Sequence, residues 1–217
     1  MFDFDGVIVD SEVVANAALA EAVTALGHPV TPEQAIERYS GLRWSDCHRA
    51  IEADSGLAVD LPALRESVDS LVASRIAEVL AIGGLGAFIE EQPGRRLAIA
   101  SSSDREWLDS SLERLGLSHH FGDRIFSAAG IARGKPHPDV YLMVARALGI
   151  PPAQCLVIED HPVGVAAGAA AGMTVVALLA AGHIRPGHEA RVRAAGAHHI
   201  ARDYCQVAEI LEELEAG

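Results

Sequence analysis

The chain has 217 residues, half of them apolar and 22% charged, with 20 Gly and 10 Pro. That suffices for one well-buried core plus a modest insertion, and it excludes disordered, coiled-coil and collagen-like classes as well as two full-sized domains. Seventeen basic residues against 30 acidic give a net charge of −13, which disfavours nucleic acid or an anionic membrane as a partner.

The chain opens on Met1-Phe2-Asp3-Phe4-Asp5-Gly6, acidic where a signal peptide needs base. Only two residues precede Asp3, so the first strand is expected to be short and weakly anchored, or the numbering begins inside a longer chain. Residues 12–81 read as an all-helical block, with helices over 12–26, 31–39, 44–53 and 61–80 and no convincing strand. Thr31-Pro-Glu-Gln is a helix start with its proline at the first helical position. From about residue 95 the pattern changes to short apolar runs alternating with helical stretches. Strands are expected at 96–101, 124–127, 154–159, 173–178 and 197–200, and helices at 104–115, 137–148, 162–171 and 205–215. This alternation predicts an α/β fold, a Rossmann-like parallel sheet flanked by helices. The predicted division is a core of residues 1–11 and 82–217 with residues 12–81 inserted as a helical cap.

The uncharged run Val163 to Gly182 imitates a membrane span of about 20 residues. Its Ala/Gly-rich half and β-branched half, separated by Gly172, are better read as a buried helix and a buried strand. The Gly164/Gly168/Gly172 spacing would let that helix lie close on the sheet. Cys47, Cys155 and Cys205 are far apart, without metal-type spacing, and fit a reduced, cytoplasmic setting.

Ligands of open α/β sheets bind beyond the carboxyl ends of the strands, and four such ends carry polar groups. Asp3 and Asp5, spaced by two, project to one side of an extended chain and call for a cation or a shared proton. Ser101, Ser102 and Ser103 form an anion cradle before a helix, with Ser103 or Asp104 as the helix cap and capping the favoured role of Ser103. Lys135, in Gly134-Lys-Pro-His-Pro138, is the single lysine in a chain with sixteen arginines; a compact ammonium suits a phosphate partner. Glu159 and Asp160 close an apolar strand where a hard cation needs oxygen ligands. His161 after them is read as an exposed loop histidine.

These four motifs, in this order and at strand ends, resemble those of the haloacid dehalogenase superfamily. The resemblance spans the whole chain and is nearest to the branch holding β-phosphoglucomutase and small sugar-phosphate phosphatases. It implies Asp3 as nucleophile, Asp5 as general acid and base, and Mg²⁺ on Asp3, the Asp5 carbonyl and Asp160, with Glu159 assisting directly or through water. Ser101, Ser102 and Lys135 would hold the phosphoryl group. Asp5 and a lysine-free cap argue against dehalogenation and phosphonate cleavage. Ala15 stands where the mutase has a histidine, and a cap lysine of that mutase is missing. Phosphatase is therefore favoured, acting on a small sugar phosphate or sugar-acid phosphate as a monomer or weak dimer, with a β-phosphoglucomutase-like mutase as the alternative. In Tyr39-Ser-Gly-Leu-Arg43-Trp44, which resembles a specificity loop, Arg43 would hold a distal anion and Trp44 flank a sugar, unless Trp44 packs between cap helices and Arg43 is solvated. The Lys135-Pro136 bond is a candidate cis peptide. A receiver-like signalling module also places carboxylates, a hydroxyl and a lysine at strand ends, but it lacks the helical insertion and the late Glu159-Asp160 pair. A non-catalytic binding protein is the remaining rival.

Overall fold

Phe2 is the seam of the sheet. In the computed structural model, which describes residues 1–40 and 44–216, β1 (Ile99–Ser101) pairs in parallel with β2 (Ile125–Ser127), and β3 (Leu156–Glu159) with β4 (Thr174–Leu178), which in turn pairs with β5 (His199–Ala201). Phe2 bridges both Ile99 and Ile158, so the lateral order is β2, β1, residue 2, β3, β4, β5. The first strand is thus a single bridging residue. Its backbone is held on both sides: Phe2 N–H donates to the Ala98 carbonyl at 2.8 Å, and Asp3 N–H to the Ile158 carbonyl at 2.9 Å. The Phe2 ring meets Phe88 and Phe121 edge-on at 6.2 and 5.8 Å, so this short segment is anchored more firmly than its length suggested.

The chain divides into two units, Met1–Val9 with Ala81–Gly217, and Asp10–Leu80. The second unit holds α1 (Ser11–Ala25), α2 (Pro32–Tyr39), α3 (Trp44–Ser55) and α4 (Leu61–Ser74), and among the described residues it contains no strand. Thr31 and Gln34 form a reciprocal capping box with Pro32 in the first turn of α2. Ala18, Leu19, Val23, Tyr39, Ile51 and Leu64 are among the residues of its own apolar core, and Trp44 packs against them. Arg65 lies over the Trp44 ring at 6.0 Å; Trp44 therefore takes the packing alternative. Arg43 lies outside the described residues. The last predicted helix stops at Ser74 instead of 80, because Arg75 leaves helical geometry and one 3-10 turn, Ile76–Glu78, follows.

In the first unit the sheet is flanked by α5 (Leu85–Glu90), α6 (Arg105–Arg114), α7 (Ser118–Phe121), α8 (Asp139–Leu148), α9 (Pro162–Ala170), α10 (His188–Ala194) and α11 (Tyr204–Ala216). The inner strands β1, β3 and β4 are buried on both faces, as continuous apolar runs require, while the edge strands β2 and β5 are partly exposed. α9 lies close on the sheet because two positions lack a side chain. A Cβ on Gly168 would stand 2.9 Å from Val175 Cγ2, and one on Gly164 only 1.5 Å from Glu159 Oε1. Gly172 does not share this role: it meets nothing and ends the helix with φ +72°. The membrane-like run is therefore α9 followed by β4, and no helix among the described residues is long and apolar enough to cross a membrane.

Candidate active site

The parallel sheet points its strand ends to one side, and the four polar motifs lie there within the first unit. Asp3 follows the bridging Phe2. The chain then turns sharply, with the Val7, Ile8 and Val9 N–H groups on the Phe4 carbonyl. Gly6 makes this turn possible: its φ is +79°, and a Cβ would stand 2.0 Å from Asp160 Oδ2.

Lys135, in the loop before α8 and preceding a cis proline, reaches into the cluster. Its ammonium donates to Asp3 Oδ1 and Glu159 Oε1, both at 2.7 Å, and lies 4.9 Å from the Tyr141 ring centroid. Burial alone would lower its pKa, but the Asp3 and Glu159 carboxylates outweigh that and hold it well above the ordinary lysine value. Asp3 is held well above the usual carboxylate range by burial and by Glu159 beside it, against the opposing pull of Lys135.

Glu159 accepts from four donors: Lys135 and the Tyr141 hydroxyl on Oε1, the Asp160 and His161 N–H groups on Oε2. Asp3, Glu159 and Asp160 each offer a carboxylate oxygen, all within 4.8 Å of one another. Three carboxylates against one ammonium leave excess negative charge, and their hard oxygens suit Mg²⁺. Glu159 already spends its lone pairs on protein donors, so Asp3 and Asp160 are the better-placed ligands of the three.

Asp160 is steadied from behind. His183 Nε2 lies 3.1 Å from its Oδ2, and His188 Nε2 2.6 Å from its carbonyl oxygen. Arg191 donates to His188 Nδ1 at 3.0 Å; an arginine cannot accept, so the proton of His188 sits on Nε2 and is given to Asp160. Burial, the largest cause, lowers the His188 pKa, in keeping with this neutral ring. His161 is not an exposed loop residue. It caps α9, its Nδ1 accepting from the Val163 N–H at 3.3 Å, and burial lowers its pKa.

Ser101, 1% exposed, ends β1, and its Oγ accepts from the Ser103 N–H at 3.0 Å. Ser102 is exposed. Ser103 does not cap α6 with its side chain. Asp104 holds the cap position without a side-chain bond, and Ser103 Oγ donates to Asp5 Oδ2 at 2.5 Å. Trp107, in the first turn of α6, donates its indole N–H to Asp5 Oδ1 at 3.2 Å. Asp3, Asp5, Ser101, Lys135, Glu159 and Asp160 are thus all at these strand ends. Tyr141, Trp107, His183 and His188 were missed, although looking at the end of β4 as at the others would have found His183.

Known proteins resemble this chain along most of its length. The haloacid dehalogenase-like hydrolase family matches residues 1–178. The 6-phosphogluconate phosphatase of Escherichia coli K12 is 27% identical over 186 residues, 85% of this chain and 84% of that protein. The fructose-1-phosphate phosphatase YqaB of the same organism is 30% identical, over 81% of this chain and 93% of its own. A haloacid dehalogenase family hydrolase from Deinococcus radiodurans R1, solved with bound phosphate and sodium, has 30% identity and a TM-score of 0.84, covering 98% of this chain and 93% of that one.

Proposed function

Because the chain belongs to the haloacid dehalogenase-like hydrolase family, we propose that it is a Mg²⁺-dependent phosphatase that works through an aspartyl-phosphate on Asp3. It is a phosphoric monoester hydrolase, and the names of its relatives support sugar phosphates as the substrate class. The observation that carries the reading is Lys135 bridging Asp3 and Glu159 at 2.7 Å each, since a buried ammonium beside a carboxylate nucleophile is placed to meet an incoming phosphoryl group.

In the first step an Asp3 oxygen forms a bond to phosphorus while the ester P–O bond breaks, and Asp5 gives its proton to the leaving sugar oxygen. In the second, Asp5 takes a proton from water, the water oxygen bonds to phosphorus, and the P–O bond to Asp3 breaks, releasing inorganic phosphate. Ser101 keeps its hydroxyl proton for a phosphoryl oxygen, Ser102 adds its own from the exposed side, and Lys135 offsets the charge on that group. Asp3, Asp160 and the Asp5 carbonyl would hold Mg²⁺, with Glu159 anchoring Lys135 beside them. Bound there, the ion would neutralise phosphoryl charge and lower the repulsion between a phosphate dianion and the acidic site. The inserted unit, with Arg43, would choose among sugar phosphates.

The test is phosphate release from a panel of phosphorylated sugars with and without Mg²⁺, together with acid-quench mass spectrometry of the Asp3 peptide. A gain of one phosphoryl group during turnover is expected. Sustained hydrolysis with no phosphoryl group on that peptide, in acid-quenched single turnovers, overturns the covalent route.

A further inference from the structure

We infer that Trp107 and Ser103 are positioning residues that aim the Asp5 carboxylate at the reacting bonds, an inference that rests on reading Asp5 as the acid and base. Asp5 is only partly buried, and a free aspartate rotates about two side-chain torsions. Here a different donor engages each oxygen, Trp107 Nε1 at Oδ1 and Ser103 Oγ at Oδ2, which fixes both torsions. The two donors are themselves rigid. Trp107 sits in the first turn of α6. Ser103 is tied by its N–H to Ser101 Oγ at 3.0 Å and by its carbonyl to Ser127 Oγ at 2.6 Å. The carboxylate that moves protons is therefore referenced to the ends of β1 and β2, where Ser101 lies. Misplacement of a reacting group by an ångström costs about 10²-fold in rate, so such referencing matters.

The donors differ in kind. An indole N–H only donates and cannot move a proton between substrate and water, so Trp107 can hold Asp5 but not replace it. A hydroxyl donates or accepts, so Ser103 keeps its contact whether or not Asp5 carries the proton. Ser103→Ala removes this contact alone, because the bonds to Ser101 and Ser127 are made by the backbone.

The experiment measures kcat and KM on a turned-over sugar phosphate for Trp107→Phe, Ser103→Ala, Ser103→Thr and Asp5→Ala in the whole enzyme. Indole N–H spectra of ¹⁵N-labelled wild-type and Asp5→Ala protein accompany it; with two tryptophans in the chain, the Trp107 signal is assignable by Trp44→Phe. Trp107→Phe and Ser103→Ala should each lower kcat about tenfold, the scale of one hydrogen bond to a charged group, without raising KM. Ser103→Thr should restore most of the loss, and the Trp107 indole signal should shift in Asp5→Ala. Wild-type kcat in both Trp107→Phe and Ser103→Ala, with Asp5→Ala inactive, overturns the positioning role and leaves the acid–base reading standing. Wild-type turnover by Asp5→Ala overturns that reading and this inference with it. An unmoved Trp107 signal in folded Asp5→Ala removes the contact itself.

Discussion

Lys135 shows at the scale of one residue why the chain departs from its habit of using arginine. The side chain is 7% exposed and fits between Asp3, Glu159 and the face of Tyr141. A planar guanidinium needs more room and cannot place one nitrogen between two carboxylates in this way. Lys135→Arg should stay folded yet lose about 10²–10³ in kcat, the scale of one preorganised electrostatic partner; a thermal melt and steady-state rates check both halves. Asp3→Asn tests the neighbouring position. The amide oxygen can still accept from Lys135, so the fold should persist while turnover vanishes, and steady hydrolysis by this variant would remove Asp3 from the nucleophile role.

At the scale of elements, α9 is the part whose position the site depends on. Alanine favours a helix interior over glycine by about 1 kcal/mol, so propensity alone has both Gly164→Ala and Gly168→Ala stabilising. Contacts argue the reverse. A Cβ at 164 overlaps the Glu159 carboxylate, and one at 168 presses on Val175 and Val157. Overpacking of this kind costs about 1–3 kcal/mol, so each Tm should fall by roughly 2–12 °C in a chain of this size. Only Gly164→Ala should also lower kcat strongly, because only it displaces the residue anchoring Lys135. A rise in Tm for either variant would return the decision to propensity. Much of this was legible in the sequence: apolar strands with acids or hydroxyls at their ends placed Asp3, Ser101, Lys135 and Glu159-Asp160 at the sheet end, and β-branching against Ala/Gly separated β4 from α9. The short helices α5, α7 and α10 were not legible, since four to seven residues carry too little periodicity. Trp107 and His188 were missed for another reason: their partners, Asp5 and Asp160, lie 102 and 28 residues away, a distance that no local pattern spans.

For the molecule as a whole, the acidic excess and the carboxylate cluster act together. Three carboxylates of Asp3, Glu159 and Asp160 share a buried region with one ammonium, and a chain of net charge −13 offers little distant compensation. The unfolded chain has no such concentration of oxygen ligands, so a divalent cation should bind the native state and raise stability by mass action. At a Mg²⁺ concentration 100 times Kd the gain is about 2.7 kcal/mol, which corresponds to a Tm rise of roughly 5–11 °C at this chain length. General screening of a negative surface would also help, but monovalent salt does that equally well. The comparison is therefore melting in Mg²⁺ against Na⁺ at equal ionic strength, with EDTA as the reference, and activity recorded in parallel. Mg²⁺ should raise Tm well beyond Na⁺, EDTA should abolish phosphate release, and Asp160→Asn should shrink the Mg²⁺ increment. If the two salts raise Tm alike, or the chelated enzyme is fully active, the carboxylates are held by Lys135 and their hydrogen bonds alone, and the cation assignment falls.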